Sequence, residues 1–201
     1  MRYTVPQLVH LIVGYADNYG IDPAIAIAQL RRESANFRDD VVYGPYRAAA
    51  GERGVAQFTP GTWPRWGSGP HTNAYDPDLS LQAWGEYMMY LLSLFGGDYA
   101  KALMGYNGGE GHLTNPARHG GPSQAAQRYA REVIEASKGI SVPALFDGDD
   151  LPSSGDPSVT YYDDPPSSDV SGSLDRLSDS GIGAPLLIGG IALLALFLFT
   201  K

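Results

Sequence analysis

The chain has 201 residues, a net charge of −8 and no cysteine. That leaves room for one ordinary domain with appendages and excludes a disulfide framework and thiolate-held metals. Residues 1–140 carry 12 Lys and Arg against 13 Asp and Glu, whereas residues 141–201 hold nine Asp against Arg176 and Lys201; the first part therefore lacks the basic footprint of a nucleic-acid binder, and the acidic excess belongs to a tail.

In chain order, residues 7–19 place Leu8, Leu11, Ile12 and Tyr15 on one helical stripe. With its apolar residues spent on that stripe and no basic region ahead of them, the N-terminus does not read as a signal peptide. Asp22-Pro23 is an N-cap followed by proline at the first helical position, opening a helix over 22–34. Residues 38–75 show little period, only glycine, proline and aromatic residues. Asp76-Pro77 then opens a longer helix in which Leu81, Trp84, Met88, Leu91 and Phe95 share a face, closed by Gly96-Gly97. Asp98 caps a short helix to about Tyr106, and Ser123 caps a last one carrying Ala126, Tyr129, Val133 and Ile134. The expectation is a mainly α domain over 1–140.

Residues 141–180 are Ser, Asp, Pro or Gly at 27 of 40 positions. Such a stretch buries too little apolar surface to offset the entropy of ordering, so it reads as an acidic flexible linker, its ends on the order of 35 Å apart. Within the final segment, 181–201, residues 183–200 carry no charge and no polar face, which reads as a C-terminal membrane helix in contact with lipid.

One carboxyl group stands out. Glu33 lies three residues after Leu30 and seven after Ala26, on the apolar face of its helix and in its last turn. Burial and the helix dipole both disfavour the carboxylate there and raise its pKa, as a general acid near neutral pH requires. Arg31 and Arg32 oppose the effect from other positions on the helical wheel. By itself the pattern also fits the commoner case, a solvated Glu at a helix end.

The string IDPAIAIAQLRRESANF resembles the first motif of the soluble lytic transglycosylases of the goose-lysozyme-like superfamily, in which a helix ends in a Glu-Ser pair. GERGVAQFTPGTW resembles their second motif, ALMGYNGGEG the third and RYAREVI the last, in the family's order over roughly residues 5–137. The resemblance implies a lysozyme-like α-helical fold and cleavage of peptidoglycan glycan strands. It implies that Glu33 protonates the glycosidic oxygen and then takes the proton of the muramyl C6 hydroxyl, which closes on C1 to give a 1,6-anhydro product. Ser34 is then expected to orient Glu33, Gln57 and Asn107 to bond sugar substituents, and Gly54 to let the backbone approach the glycan. Tyr106 and Tyr129 are expected to line the cleft, with the Tyr129 hydroxyl in reach of Glu33. From the residues alone, Gly54 reads equally as a turn glycine, Gln57 and Asn107 as helix or loop caps, and Tyr129 as core.

The spacing departs from the family. Glu33 and Gln57 lie 24 residues apart, and the extra residues carry Asp39 and Asp40. A carboxylate reaching the far side of the cleft would position a water and make the enzyme a hydrolase, the lysozyme outcome; the commoner case for two such loop residues is a solvated carboxylate. Trp63, Trp66, Tyr43, Tyr46 and Tyr75 supply aromatic faces for core or for sugar stacking. His10, His71, His112 and His119 show no metal spacing, and no cofactor is expected. A third reading is a non-catalytic structural protein of a membrane or virion. The apparent tail anchor, with a substrate outside the cytoplasmic membrane, suggests a phage protein of an internal virion membrane, acting in the host periplasm beside other virion membrane proteins. The alternative setting is a tail-anchored enzyme of the bacterial inner membrane.

Overall fold

Caps and prolines decide where the helices begin. The computed structural model describes residues 2–142. They run through α1 (Val5–Asn18), α2 (Pro23–Glu33), α3 (Asp39–Val42), α4 (Trp63–Trp66), a 3₁₀ turn (His71–Tyr75), α5 (Pro77–Leu94), α6 (Tyr99–Gly108), α7 (Gly111–Thr114), α8 (Pro116–His119) and α9 (Gln124–Ser137). The Thr4 hydroxyl accepts from Gln7 N while the Gln7 side chain accepts from Thr4 N, a reciprocal box that starts α1. Asp22, Asp76, Asp98 and Ser123 accept from the first free amides of α2, α5, α6 and α9. These are the four caps expected from the sequence, and each satisfies amides that an intrahelical bond cannot.

Two sequence expectations need correction. The buried face of α1 is Leu8, Val9, Ile12, Val13 and Ala16, with Leu11 and Tyr15 only half-covered at its edge. α1 meets α2 on one side and α5 on another, so it buries a broader and rotated face. The stretch 38–75 is also less irregular than its period suggests. It holds α3, α4 and the 3₁₀ turn, all too short to show a 3.6-residue period, and one antiparallel bridge between Arg53 and Phe58.

The centre of the domain is α2, buried from Ile25 to Leu30 with almost no polar face. It packs between α1 and α9, while α6 packs on both α5 and α9. Ile27, Leu30, Leu81, Trp84, Met88, Leu91 and Leu103 are fully buried in one cluster. Each such side chain contributes about 1.5–3 kcal/mol of burial, so α2 is held against α1 and α9 by the bulk of the core. Ile140 and Val142 still pack on this cluster, two residues into the stretch expected to be linker. The rest of that linker and the membrane helix expected over 183–200 lie outside the described residues. Among the described residues no helix is long and apolar enough to cross a membrane.

Candidate active site

Glu33 is the last residue of α2, and it is buried. Its Oε1 accepts a hydrogen bond of 2.5 Å from the hydroxyl of Tyr129 on α9. Burial is the leading influence on the carboxyl and pushes its pKa up to about 7, with the charge of Glu52 adding to the rise; the Tyr129 hydrogen bond and the charge of Arg32 pull the other way. Desolvation wins. The result is a carboxyl group that holds its proton to near neutral pH beside a neutral donor.

Arg32 does not pair with Glu33. Its guanidinium lies 5.0 Å from the centre of the Tyr129 ring and is bonded to Glu132 of α9. The pair is half-exposed and worth little by itself, but it keeps the cation occupied on the outer side of the ring.

Ser34 is fully buried, and its hydroxyl is spent on backbone: it donates to Leu30 O at 2.6 Å and accepts from Phe37 N at 3.0 Å. Any orienting effect on Glu33 therefore runs through the turn and not through side-chain contact with the carboxylate or with a glycan. That turn is unusual, since Ala35, Asn36 and Phe37 all have left-handed backbone, with φ of 52°, 64° and 59°. Three such residues in a row cost energy, which the two Ser34 bonds and the buried Phe37 ring offset.

Gly54 also differs from its expected role. With φ +75°, a Cβ on it would lie 1.6 Å from Ala74 O. The close approach that demands glycine is to the protein's own 3₁₀ turn, not to a ligand. The tight turn that follows brings Gln57 into left-handed conformation (φ 52°), with its Nε2 donating to Gly54 O at 2.8 Å. The Tyr106 hydroxyl donates to Ala56 O at 2.6 Å, tying α6 to the same turn. Gln57, Phe58, Thr59, Thr62, Tyr87 and Tyr106 line a small cavity of about 30 Å³. Tyr106 also lies within electrostatic reach of Glu33 and Tyr129. Asn107, the next residue, is largely buried, yet its side chain makes no hydrogen bond among the described residues. Its amide is not among the buried side-chain atoms left without a partner, so it reaches the surface and is available to a ligand.

The structure thus gathers Glu33, Tyr106 and Tyr129 from α2, α6 and α9, with Gln57 tied in through the Tyr106 bond. It brings in neither Asp39, which is exposed and paired with Arg2, nor Asp40, which is half-buried and paired with Arg38. The residue that sequence reading missed is Glu52. It is buried, its Oε2 accepts from Ala50 N at 3.1 Å, and its charge reaches Glu33. A Glu between glycine and arginine in a loop reads as solvated; its place two residues before Gly54 was the available signal. The aromatic residues of 38–75 are mostly structural. Trp63 is buried and donates to Gly69 O, Trp66 stacks on Tyr87 at 4.8 Å, and Tyr43 and Tyr75 bond backbone carbonyls of Tyr3 and Tyr46. Among the described residues no group of three His, Asp or Glu side chains is placed to hold a metal ion.

A family model described as transglycosylase SLT domain matches residues 10–128. The chain is 29% identical over 103 residues to the peptidoglycan transglycosylase gp16 of Escherichia phage T7, a match covering 46% of this chain and 8% of that protein. Its backbone is similar to that of an inactive mutant of the lytic transglycosylase Slt from Pseudomonas aeruginosa, with a TM-score of 0.52 at 21% identity over 64% of this chain and 23% of that one. At that identity the second likeness is one of fold. The chain spans a small part of the length of either relative.

Proposed function

The chain belongs to the transglycosylase SLT domain family, and on that premise we propose that it is a peptidoglycan lytic transglycosylase cutting the β-1,4 bond between N-acetylmuramic acid and N-acetylglucosamine. The observation that carries this reading is the buried Glu33 carboxyl, protonated to about 7 and bonded by Tyr129. With Oε1 occupied by Tyr129, the acid proton sits on Oε2, which donates it to the glycosidic oxygen as the C1–O bond breaks. The Tyr129 hydrogen bond then stabilises the carboxylate so formed. That carboxylate takes the proton of the muramyl C6 hydroxyl, whose oxygen closes on C1. The product is a 1,6-anhydro sugar, no water is consumed, and Glu33 returns to its starting state. Because the substrate supplies the nucleophile, no second catalytic carboxylate is needed, in contrast to the usual two-carboxylate scheme. Asn107 and the free carbonyl of Gln57 bond the sugar substituents.

Digestion of purified peptidoglycan with the full chain, beside its Glu33→Gln variant, tests this by mass spectrometry of the released fragments. Fragments one water lighter than the hydrolysis products, absent with the variant, are the expected result. Hydrated fragments would make the enzyme a hydrolase, a reading favoured by one observation, the buried Glu52 whose charge reaches Glu33.

The uncharged run 183–200 supports a membrane anchor, and the similarity to a phage transglycosylase supports a virion setting. In this reading the enzyme sits in a virion membrane beside other virion proteins and opens the host wall for genome entry. Intact protein in purified virions, retained through salt and released by detergent, is expected; absence from virions would place it in a bacterial membrane instead.

A further inference from the structure

Aromatic rings from α4, α5 and α6 form a ladder that leaves the site sideways. Tyr106 and Tyr87 line the cavity beside Gln57, with their ring centres 5.3 Å apart. Tyr87 then stacks on Trp66 at 4.8 Å, and Trp66 lies 5.2 Å from Tyr90. Tyr106 and Tyr87 are buried, whereas Trp66 and Tyr90 are half-buried. The ladder therefore ends at the surface.

Arg65, from the same short helix as Trp66, lies over that end. Its guanidinium carbon is 4.8 Å from the centre of the Trp66 ring and 5.1 Å from that of Tyr90. Glu110, three residues after Asn107, holds it from the side. Arg65 Nη1 donates to Glu110 Oε1 at 3.4 Å, while Glu110 Oε2 accepts from the Tyr87 hydroxyl at 3.3 Å. This arrangement does little for the fold. The ion pair is partly exposed, and both a surface pair and an exposed cation over a ring are weak stabilisers. A leucine would cover the two rings as well, so the guanidinium calls for a use. Glu110 takes one of its N–H donors. The others are placed to make the paired hydrogen bonds that a guanidinium forms with a carboxylate.

The substrate of the proposed reaction offers such a group. The sugars of a peptidoglycan strand are neutral once the lactyl group of muramic acid is joined to its peptide, and the carboxylates of the strand lie on that peptide. A stem leaving a sugar held at Gln57 and Asn107 passes to the side of the cleft, and the ladder gives that side a cationic end. We propose that Arg65, held over Trp66 and Tyr90, is a specificity-determining residue that binds a carboxylate of the peptide stem. The proposal rests on the reading of the chain as a peptidoglycan transglycosylase.

The test uses soluble glycan strands that carry their peptides, and the same strands stripped by an amidase, with the full chain kept in detergent. For each protein the ratio of kcat/KM on stem-bearing to stripped strands is measured. Arg65→Met, which keeps apolar bulk over the rings, is expected to lower this ratio about tenfold, through KM and not kcat. Arg65→Lys keeps the charge without the planar fork and falls between. Added salt is expected to lower the wild-type ratio and to leave that of Arg65→Met in place, because the cation is exposed. A ratio in Arg65→Met equal to that of the wild type overturns the proposal, whether both activities are kept or both fall together. So does a wild-type ratio indifferent to salt. Binding of end-labelled strands of both kinds to the Glu33→Gln variant, with and without Arg65→Met, is followed by fluorescence anisotropy. That measurement needs no cleavage, so a wild-type chain that cuts neither strand would sink the proposed function and leave the stem contact to be judged by binding.

Discussion

Tyr129 donates to Glu33 Oε1 at 2.5 Å although 96 residues separate the two in sequence. The bond joins the end of the central helix to the last helix, and its neutrality is the point. An arginine in the place of Tyr129 would hold the carboxyl ionised, and no donor at all would leave the carboxylate unsupported once the proton is given up. A phenol supports the charged form without abolishing the rise caused by burial, and the balance falls at about 7.

The pH dependence of turnover follows from that balance. Glu33 acts first as an acid, so kcat/KM is expected to hold below about 7 and to fall tenfold per pH unit above it. Glu52 raises the Glu33 pKa, so Glu52→Gln is expected to move the falling limb to lower pH. Tyr129 lowers it, so Tyr129→Phe moves the limb to higher pH while reducing the maximum. Initial rates on peptidoglycan across pH check both signs, and a limb that stays put in Glu52→Gln would remove Glu52 from the site.

The same shift must appear in stability. Glu33 titrates at about 7 when folded against 4.5 in the unfolded chain. Between those values the folded state holds more protons, so stability falls as pH rises through this window and levels off above it. The loss is about 3 kcal/mol for a shift of this size. Glu33→Gln carries no such charge. Urea denaturation at about pH 4.5 and about pH 8 is expected to show the variant gaining on the wild type by that order; an equal difference at both would mean that the carboxyl is hydrated.

How much of this was legible in the sequence depends on how local the cause is. The caps Asp22, Asp76, Asp98 and Ser123 each act within three residues, and all four stand where the sequence puts them. The burial of Glu33 follows from the apolar face of its own helix. Ser34 and Gly54 were recognisable as special, but their partners were not: one hydroxyl closes a left-handed turn, and one missing Cβ makes way for a carbonyl twenty residues downstream. Asp40 pairs with Arg38 as a loop carboxylate is expected to, whereas Glu52 in a comparable loop is buried. A carboxylate in a loop is solvated or buried according to what the fold lays over it, and only Asp40 has an arginine two residues away to pair with in solvent.

Gly54→Ala tests the correction directly. The substitution strains a backbone with φ +75° and drives a methyl group into Ala74 O. A left-handed non-glycine residue costs about 1–2 kcal/mol and overpacking about 1–3 more, so a loss of about 3 kcal/mol in urea denaturation is expected. If Gly54 served the glycan instead, the variant would keep its stability and lose only activity.

Asn107→Ala and Ser34→Ala should separate binding from architecture, because the two side chains are buried to opposite ends. The Asn107 amide makes no hydrogen bond among the described residues, so its removal is expected to change stability by less than about 1 kcal/mol. It leaves the substrate polar group it served without a partner, which costs kcat/KM about 10- to 100-fold. Ser34 makes two buried backbone bonds, and losing them is expected to cost about 1–3 kcal/mol of stability. Its effect on turnover should then track the displacement of Glu33, appearing in kcat more than in KM. Thermal melts and Michaelis kinetics on the two variants check the contrast. Should Asn107→Ala melt early while keeping its turnover, the amide serves the fold, and the sugar substituents must be held by Gln57 without it.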